Sequence, residues 1–403
     1  MEGKIVPAVG LEVLAGVAVR STCRMCINGV DVCFGAGCFD KMLPEVSLLG
    51  GRWLVVTTAG GSMIRHGWVP RIVEEASRQG ATVNIYRWVW TNPTTDSADK
   101  VYRVARRLRV TVVIGVGGGS AIDVAKAVAA ALASDATPSE LYRKLRPVKG
   151  SVPLVAIPST HGTGTEVDRF AVLSDKVTSS KAAIVDERIK PRMAIVDPRL
   201  TLTLPQPLAG ATVIDAFCHA LESYVAVNAS QLSRGFAREA LIAIGEGVRK
   251  LKTEGWGSLS VRSLFHYASM MAGVAIDLSR TTLLHALEHP MSFRHPSIHH
   301  GIGLAVLLPF WVELVDKEAG EELAEALRYA GLEDPASVHD LIKELLGGMP
   351  RLSELRVSPE EARIYVKDAF RYLKPLVENT PGYPFDRDEL AARLEEYFRR
   401  VYG

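Results

Sequence analysis

Val112-Val113-Ile114-Gly115-Val116-Gly117-Gly118-Gly119-Ser120-Ala121-Ile122-Asp123-Val124-Ala125-Lys126 is the stretch that decides the fold class of this 403-residue chain. Its β-branched opening predicts a buried strand over 110–116. Three glycines follow, and then helical spacing over 122–132. A strand that turns through glycines into a helix brings backbone close to an anion without Cβ clash. The free N–H groups and dipole of the helix favour negative charge there. Ser120 is placed to cap that helix and to donate to a phosphate. The pattern is neither G-x-G-x-x-G nor a Walker loop, so both of those motifs are set aside. The bland alternative is a tight turn with no ligand.

Outward from this turn, strands are predicted at 53–58, 82–88, 152–157 and 193–196, and helices at 63–79 and 96–108. Such alternation predicts a mostly parallel, Rossmann-like α/β sheet with helices on both faces, over residues 1–205. After Leu204-Pro205-Gln206-Pro207 the pattern changes. Amphipathic segments at 209–227, 233–252, 259–275, 320–329 and 359–373 predict an all-helical second domain over 206–403. The cleft between the two is the expected ligand site.

Composition narrows the classes of function. A net charge of +2 gives no reason to expect nucleic acid or an anionic membrane as partner. No apolar run is long enough to span a bilayer. Met1 to Pro7 lacks a basic region leading into an apolar core, so a cytoplasmic protein is expected. Scarce Asn and Gln with plentiful Arg and Glu fit a heat-loving source. Four of the five cysteines crowd together: Cys23, Cys26, Cys33 and Cys38. Cys23 and Cys26 have the C-x-x-C spacing of a zinc or redox pair, but a structural or disulfide role is the preferred reading. Cys33 reads as a core strand residue and Cys218 as a buried thiol.

A second polar loop, Ser159-Thr160-His161-Gly162-Thr163-Gly164-Thr165-Glu166, follows the apolar Val155-Ala156-Ile157-Pro158. Hydroxyls and glycines there suit a cofactor's ribose or phosphate, or any turn. Further on, Asp215 and His219 lie four apart in a helical pattern, as do His285 and His289, and His300 opens His300-Gly301-Ile302-Gly303. Residues four apart share a helix face. Unpaired polar groups on apolar helices cost about 1–3 kcal/mol each, a problem that a divalent metal removes. Imidazoles with a carboxylate suit Fe(II), Zn(II) or ions of similar softness.

In combination and in order, these segments resemble the iron-containing (group III) alcohol dehydrogenases. The glycine turn, the Ser159–Glu166 loop, Ala194-Ile195-Val196-Asp197-Pro198, Leu202-Thr203-Leu204-Pro205 and the Asp/His elements carry the resemblance, with Val32-Cys33-Phe34-Gly35 as a first strand and turn. It runs from about residue 30 to about 310 and is strongest in the motifs. It implies a metal held by Asp215, His219, His285 and His300, with His289 near the nicotinamide. It also implies a pyrophosphate site at Gly117, Gly118, Gly119 and Ser120, with Asn92, Asp123, Thr160, Thr163 and Lys181 on the cofactor side. The implied reaction is hydride transfer between NAD(P) and a small alcohol or aldehyde, in a homodimer or larger homo-oligomer. Polyol, glycerol or hydroxy-acid dehydrogenases of the same fold, and a dehydroquinate synthase-like lyase, are the rival readings.

Four departures stand out. His161 replaces a small residue. Ser279-Arg280-Thr281-Thr282 replaces a glycine-containing approach to His285. The span from His285 to His300 is one residue longer, which makes His299 a rival ligand. Thr57-Thr58-Ala59-Gly60-Gly61-Ser62 lacks the aspartate of members that prefer NAD, so NADP is expected to serve at least as well. Arg280 and Arg294 flank the metal segment and are candidates to read a substrate carboxylate or phosphonate, or are surface or ion-paired arginines.

Overall fold

The computed structural model describes residues 22–403; the reading of Met1 to Pro7 lies outside them. The strands are β1 (Cys23–Ile27), β2 (Val30–Phe34), β3 (Arg52–Thr58), β4 (Thr82–Val89), β5 (Val112–Gly117), β6 (Leu154–Pro158), β7 (Phe170–Asp175), β8 (Ser180–Val185) and β9 (Met193–Val196). Seven of them form one sheet in the order β1-β2-β9-β6-β5-β3-β4. Every neighbouring pair is parallel except the β1–β2 hairpin. β7 and β8 form a separate antiparallel hairpin.

Side-chain alternation along β3 explains the layers. Trp53 and Val55 pack with the Cys38–Met42 and Trp68–Arg78 helices, while Leu54 and Val56 pack on the other face with the Thr95–Arg107 and Gly119–Ser134 helices. Each such side chain taken fully from water stabilises the sheet by about 1.5–3 kcal/mol. The chain steps from β3 to β4 in one direction, then returns to lay β5 on the other side of β3. The strand order therefore reverses between β3 and β5, and the loops after these two strands open into one crevice.

From Gln206 onward the described residues contain helices and no strand. The Gln206–Val225 helix is apolar nearly all round, and Ala209 to Val225 is buried without interruption, as expected of a central helix. The Gln231–Glu254, Leu259–Ser279 and His300–Tyr329 helices surround it. No described helix is long and apolar enough to cross a membrane.

Several expectations need correction. The segment 63–79 is two helices, Ser62–Arg65 and Trp68–Arg78, because Gly67 takes φ 81 between them. The segment 320–329 is a helix as expected, but a further helix that starts at His300 runs up to it and is divided from it by the non-helical Ala319 (φ -139, ψ 40). Ser120 does not cap the helix after the glycine turn: Gly118 is the N-cap, with no side-chain bond, and Ser120 sits inside the first turn. All five cysteines are free. Cys23 and Cys26 lie three apart on β1, so their side chains leave opposite faces of the strand and make no C-x-x-C site. Cys33 and Cys218 are buried in the core.

Candidate active site

A cleft of about 510 Å³ lies between the glycine turn and the β7–β8 hairpin on one side and the helices on the other. Its sheet-side wall includes Gly119, Ser120, Asp123, Thr163, Thr165, Asn92 and Lys181. The turn and the second polar loop are packed on each other. A Cβ at Gly119 would stand 2.5 Å from the Thr163 methyl, and one at Gly118 would stand 3.3 Å from that of Thr160. Gly117, Gly118 and Thr160 do not line this cleft; Gly118 and Thr160 pack on each other and are half-buried.

The remaining sheet-side residues have partners of their own. Asp123 accepts from the Thr165 hydroxyl at 2.6 Å and from the Val172 amide at 3.2 Å. Burial pushes its carboxyl up to about 7. Lys181 donates to Asn92 Oδ1 at 3.0 Å and to Ser292 Oγ at 2.7 Å, and Asn92 donates to the Pro296 carbonyl at 3.1 Å. This pair ties the hairpin to the helical side across the cleft. Its contacts run from residue 92 to 181 and 292, which no local sequence pattern reveals.

On the helical wall, Asp215 and His219 project from Gln206–Val225, His285 and His289 from Leu283–Arg294, and His300 from the first position of the His300–Tyr329 helix. The Nε2 atoms of His219, His285 and His300 each lie 3.6 Å from Asp215 Oδ1. Donors that share one ion in a tetrahedral set, bound at about 2.1 Å, stand about 3.4 Å apart. Asp215 Oδ1 and His285 Nε2 are buried and have no hydrogen-bond partner among the described residues. Such orphaned atoms are what a bound cation satisfies.

The opposite nitrogen of each imidazole faces its own acceptor. His285 Nδ1 meets Glu222, His300 Nδ1 meets Glu288, and His219 Nδ1 meets the Gly162 carbonyl at 3.3 Å. Acceptors at Nδ1 place the proton there and leave the Nε2 lone pair aimed at the centre. Burial would push the Asp215 carboxyl up, but His219, His300 and His285 around it hold it far below the usual carboxylate range. Burial likewise lowers His219 to about 4. Glu288, His289 and His300 form a second close group. There Glu288 already faces Lys181 at 3.6 Å and His300, and it completes the environment of His300.

The rival His299 is turned away: its Nδ1 accepts the Gly301 amide as a helix cap at 3.3 Å. His289 lines the cleft with its ring centroid 5.7 Å from that of His300, and burial keeps it neutral, its pKa far below the usual value. Glu222 and Glu288 were not singled out from the sequence. Their signal was present, since Glu222 is seven residues after Asp215 and Glu288 three after His285, on the helix faces that carry those two residues. The departure at His161 has a structural explanation. Arg262 donates to its Nε2 at 3.0 Å, Thr212 Oγ1 meets its Nδ1 at 3.0 Å, and its ring stacks on Trp256. His161 thereby anchors the polar loop to the helix that carries Asp215. Arg294 is committed to Asp368 at 2.7 Å, a tie between helices, while Arg280 lines the cleft.

Comparison with known proteins agrees with this architecture. The family model for iron-containing alcohol dehydrogenase matches residues 30–198, and that for the family's C-terminal part matches 209–395. The long-chain primary alcohol dehydrogenase AdhA of Thermoanaerobacter ethanolicus is 36% identical over 298 residues, 72% of this chain and 74% of that protein. An NADPH-dependent butanol dehydrogenase of Clostridium saccharobutylicum is 30% identical over 329 residues, 78% of this chain and 81% of its own. The crystal structure of an iron-containing alcohol dehydrogenase from Thermotoga maritima superposes with a TM-score of 0.78 at 30% identity, covering 92% of this chain and 98% of the other. The chain belongs to the iron-containing alcohol dehydrogenase family and is an NAD(P)-dependent alcohol dehydrogenase.

Proposed function

We propose that Asp215, His219, His285 and His300 hold a divalent ion, Fe(II) or Zn(II), and that the enzyme oxidises small primary alcohols, or reduces their aldehydes, with NADP at least as well as with NAD. The observation that carries this reading is the three imidazole nitrogens set at one distance, 3.6 Å, from a single carboxylate oxygen. A metal in that position supplies Lewis-acid polarisation of the substrate oxygen, and the nicotinamide ring is the hydride partner. The chain's own residues do the rest. Glu222, Glu288 and the Gly162 carbonyl keep the ligand imidazoles oriented. Gly117, Gly118, Gly119 and Ser120 receive the pyrophosphate, with Thr160 and Thr163 beside them on the cofactor side. Asn92, Asp123 and Lys181 fix the cofactor-side wall. His289, neutral and beside the ligand set, accepts or returns the proton of the substrate hydroxyl.

The preference for NADP rests on the β3 turn. No carboxylate follows Thr58, and Arg65 donates to the Gly60 carbonyl at 2.5 Å, which puts a cation at that turn. Division into units at 205/206, a cytoplasmic location, a heat-loving source and a homodimer or larger homo-oligomer complete the proposal.

The test is an anaerobic assay on metal-stripped protein, re-supplied with Fe(II) or Zn(II), using 1-butanol or butyraldehyde with each dinucleotide. Stripping should abolish the nicotinamide absorbance change and one of the ions should restore it. In the same assay His289→Ala should lower turnover with metal content unchanged; loss of metal would instead make His289 a ligand. Activity indifferent to metal overturns the metal reading, and a strong NAD preference overturns the cofactor reading.

A further inference from the structure

Arg280 stands just past the helix Leu259–Ser279 and lines the cleft with Ile276, Thr281 and His285. The other basic groups of this region are committed or outside. Arg143 binds Asp175, Lys181 binds Asn92 and Ser292, and Arg294 binds Asp368; Lys144 is exposed at the rim. Among the described residues, the Arg280 guanidinium has no hydrogen bond, ion pair or ring contact. It is a half-buried cation aimed at no protein group, in the cavity where the substrate must lie.

Its backbone is equally unusual. Arg280 takes φ 65 and ψ 173, a region occupied almost only by glycine because a Cβ is crowded there. The conformation is imposed from several sides. The Arg280 amide donates to the Ile276 carbonyl at 2.7 Å, and buried Asn379 donates to the Ser279 and Thr281 carbonyls at 2.7 and 3.0 Å. Glu222 accepts from both the amide and the hydroxyl of Thr282, at 2.8 and 2.6 Å. Glycine would satisfy this turn at less conformational cost, so the turn's geometry does not account for the arginine. The side chain must supply the benefit. Glu222 also holds His285, so the cation and the Asp/His cluster are indexed to one another through a single carboxylate.

We propose that Arg280 binds an acid group at the far end of the substrate, so that the preferred substrates are short ω-hydroxy acids and the matching semialdehydes. A guanidinium fork suits a planar carboxylate bidentately and also accepts a sulfonate or phosphonate. The acid group is a handle and is not changed. At the other end, the carbinol carbon gives a hydride to the oxidised nicotinamide, the hydroxyl proton passes to His289 and on to solvent, and an aldehyde forms. This rests on the alcohol-dehydrogenase reading above and narrows its substrate class.

The experiment compares wild type with Arg280→Gly and Arg280→Gln on 4-hydroxybutanoate against 1-butanol, and on 2-hydroxyethanesulfonate against ethanol. Calorimetry of 4-hydroxybutanoate binding to the metal-loaded, NADPH-saturated enzyme, a complex that cannot transfer hydride from the alcohol, is the second readout. Arg280→Gly relieves the backbone and should melt at or above the wild-type temperature. Wild type should favour the acid member of at least one pair in kcat/KM, and the acid-to-alcohol ratio should fall about 10- to 100-fold in both variants. Binding of the hydroxy acid should weaken by a similar factor. An unchanged ratio with unchanged binding overturns the proposal, as does a loss confined to the KM of the dinucleotide, which would place Arg280 on the cofactor. If no alcohol turns over, the proposed function fails, and calorimetry still decides whether Arg280 holds the acid.

Discussion

The two walls of the cleft are built on different principles. The sheet-side wall is made of backbone and small side chains: a glycine turn and a threonine-rich loop, pressed together so closely that a single Cβ at Gly119 meets Thr163 at 2.5 Å. The helical wall is made of buried ionisable side chains: acceptors hold the far nitrogens of His285 and His219, and the Glu288 carboxylate stands against that of His300. The first wall is sensitive to volume and the second to charge and hydrogen-bond polarity. This fits the tasks proposed for them. A diphosphate spreads its charge over several oxygens and is met by amides; a small dense cation needs a few donors in fixed directions.

The largest effect that would break this comparison is a change of polarity with no change of shape. Glu222→Gln keeps the volume, but all its neighbours are donors: His285 Nδ1, the Thr282 amide and the Thr282 hydroxyl. A carboxamide must turn its own N–H groups toward one of them. Metal affinity, measured by competition with a chelator, should fall about 10- to 100-fold while the helical circular dichroism is retained. An unchanged affinity would mean that the acceptor behind His285 does not tune the cluster.

A smaller effect is expected from volume alone. Gly119→Ala adds one methyl group and no charge. The KM for the dinucleotide should rise about 10-fold, with metal content unchanged, because a Cβ only 2.5 Å from the Thr163 methyl forces the turn or the Thr163 loop to shift. Equal sensitivity of metal content to this variant would erase the distinction between the walls.

The smallest effect concerns the frame outside both. Burial would push the Asp175 carboxyl up, but Arg143, Thr95 and Thr178 donate to it and hold it far below the usual range. A depressed folded-state pKa stabilises the fold above the unfolded value of about 3.9, and that contribution is lost as pH falls through the folded value. Asp175→Asn should therefore cost about 1–3 kcal/mol at neutral pH. The gap between the two melting curves should persist down to about pH 4 and close only in stronger acid. A gap independent of pH would assign the effect to packing.

Much of this architecture was legible in the chain. Met193–Val196 was read without error, and the strands containing Trp53, Thr82 and Val112 were placed within a few residues, because β-branched runs bounded by glycines are local signals. The i,i+4 spacing of Asp215 with His219, and of His285 with His289, was visible for the same reason. The β7–β8 hairpin was missed. Its apolar residues serve a two-stranded unit packed on the Gly119–Ser134 helix rather than a sheet core, and its alternation is short. Ser120 was misread as a cap because the turn ends one residue earlier than its glycines suggest.

By itself, then, the sequence determined the periodicities, and with them the α/β half, the helical half and the helix faces that carry the Asp and His residues. Those depend on neighbours within about one helical turn. Only the tertiary structure set His300 beside Asp215 and turned His299 to the Gly301 amide, found Glu222 and Glu288 behind the imidazoles, set His161 between Thr212 and Arg262, separated a committed Arg294 from a free Arg280, and showed the glycine-like backbone that Arg280 adopts. Each of these is a contact or a dihedral imposed by groups tens to hundreds of residues away. Local propensity carries no record of them, because their energies arise only when the buried polar groups of separate elements must satisfy one another.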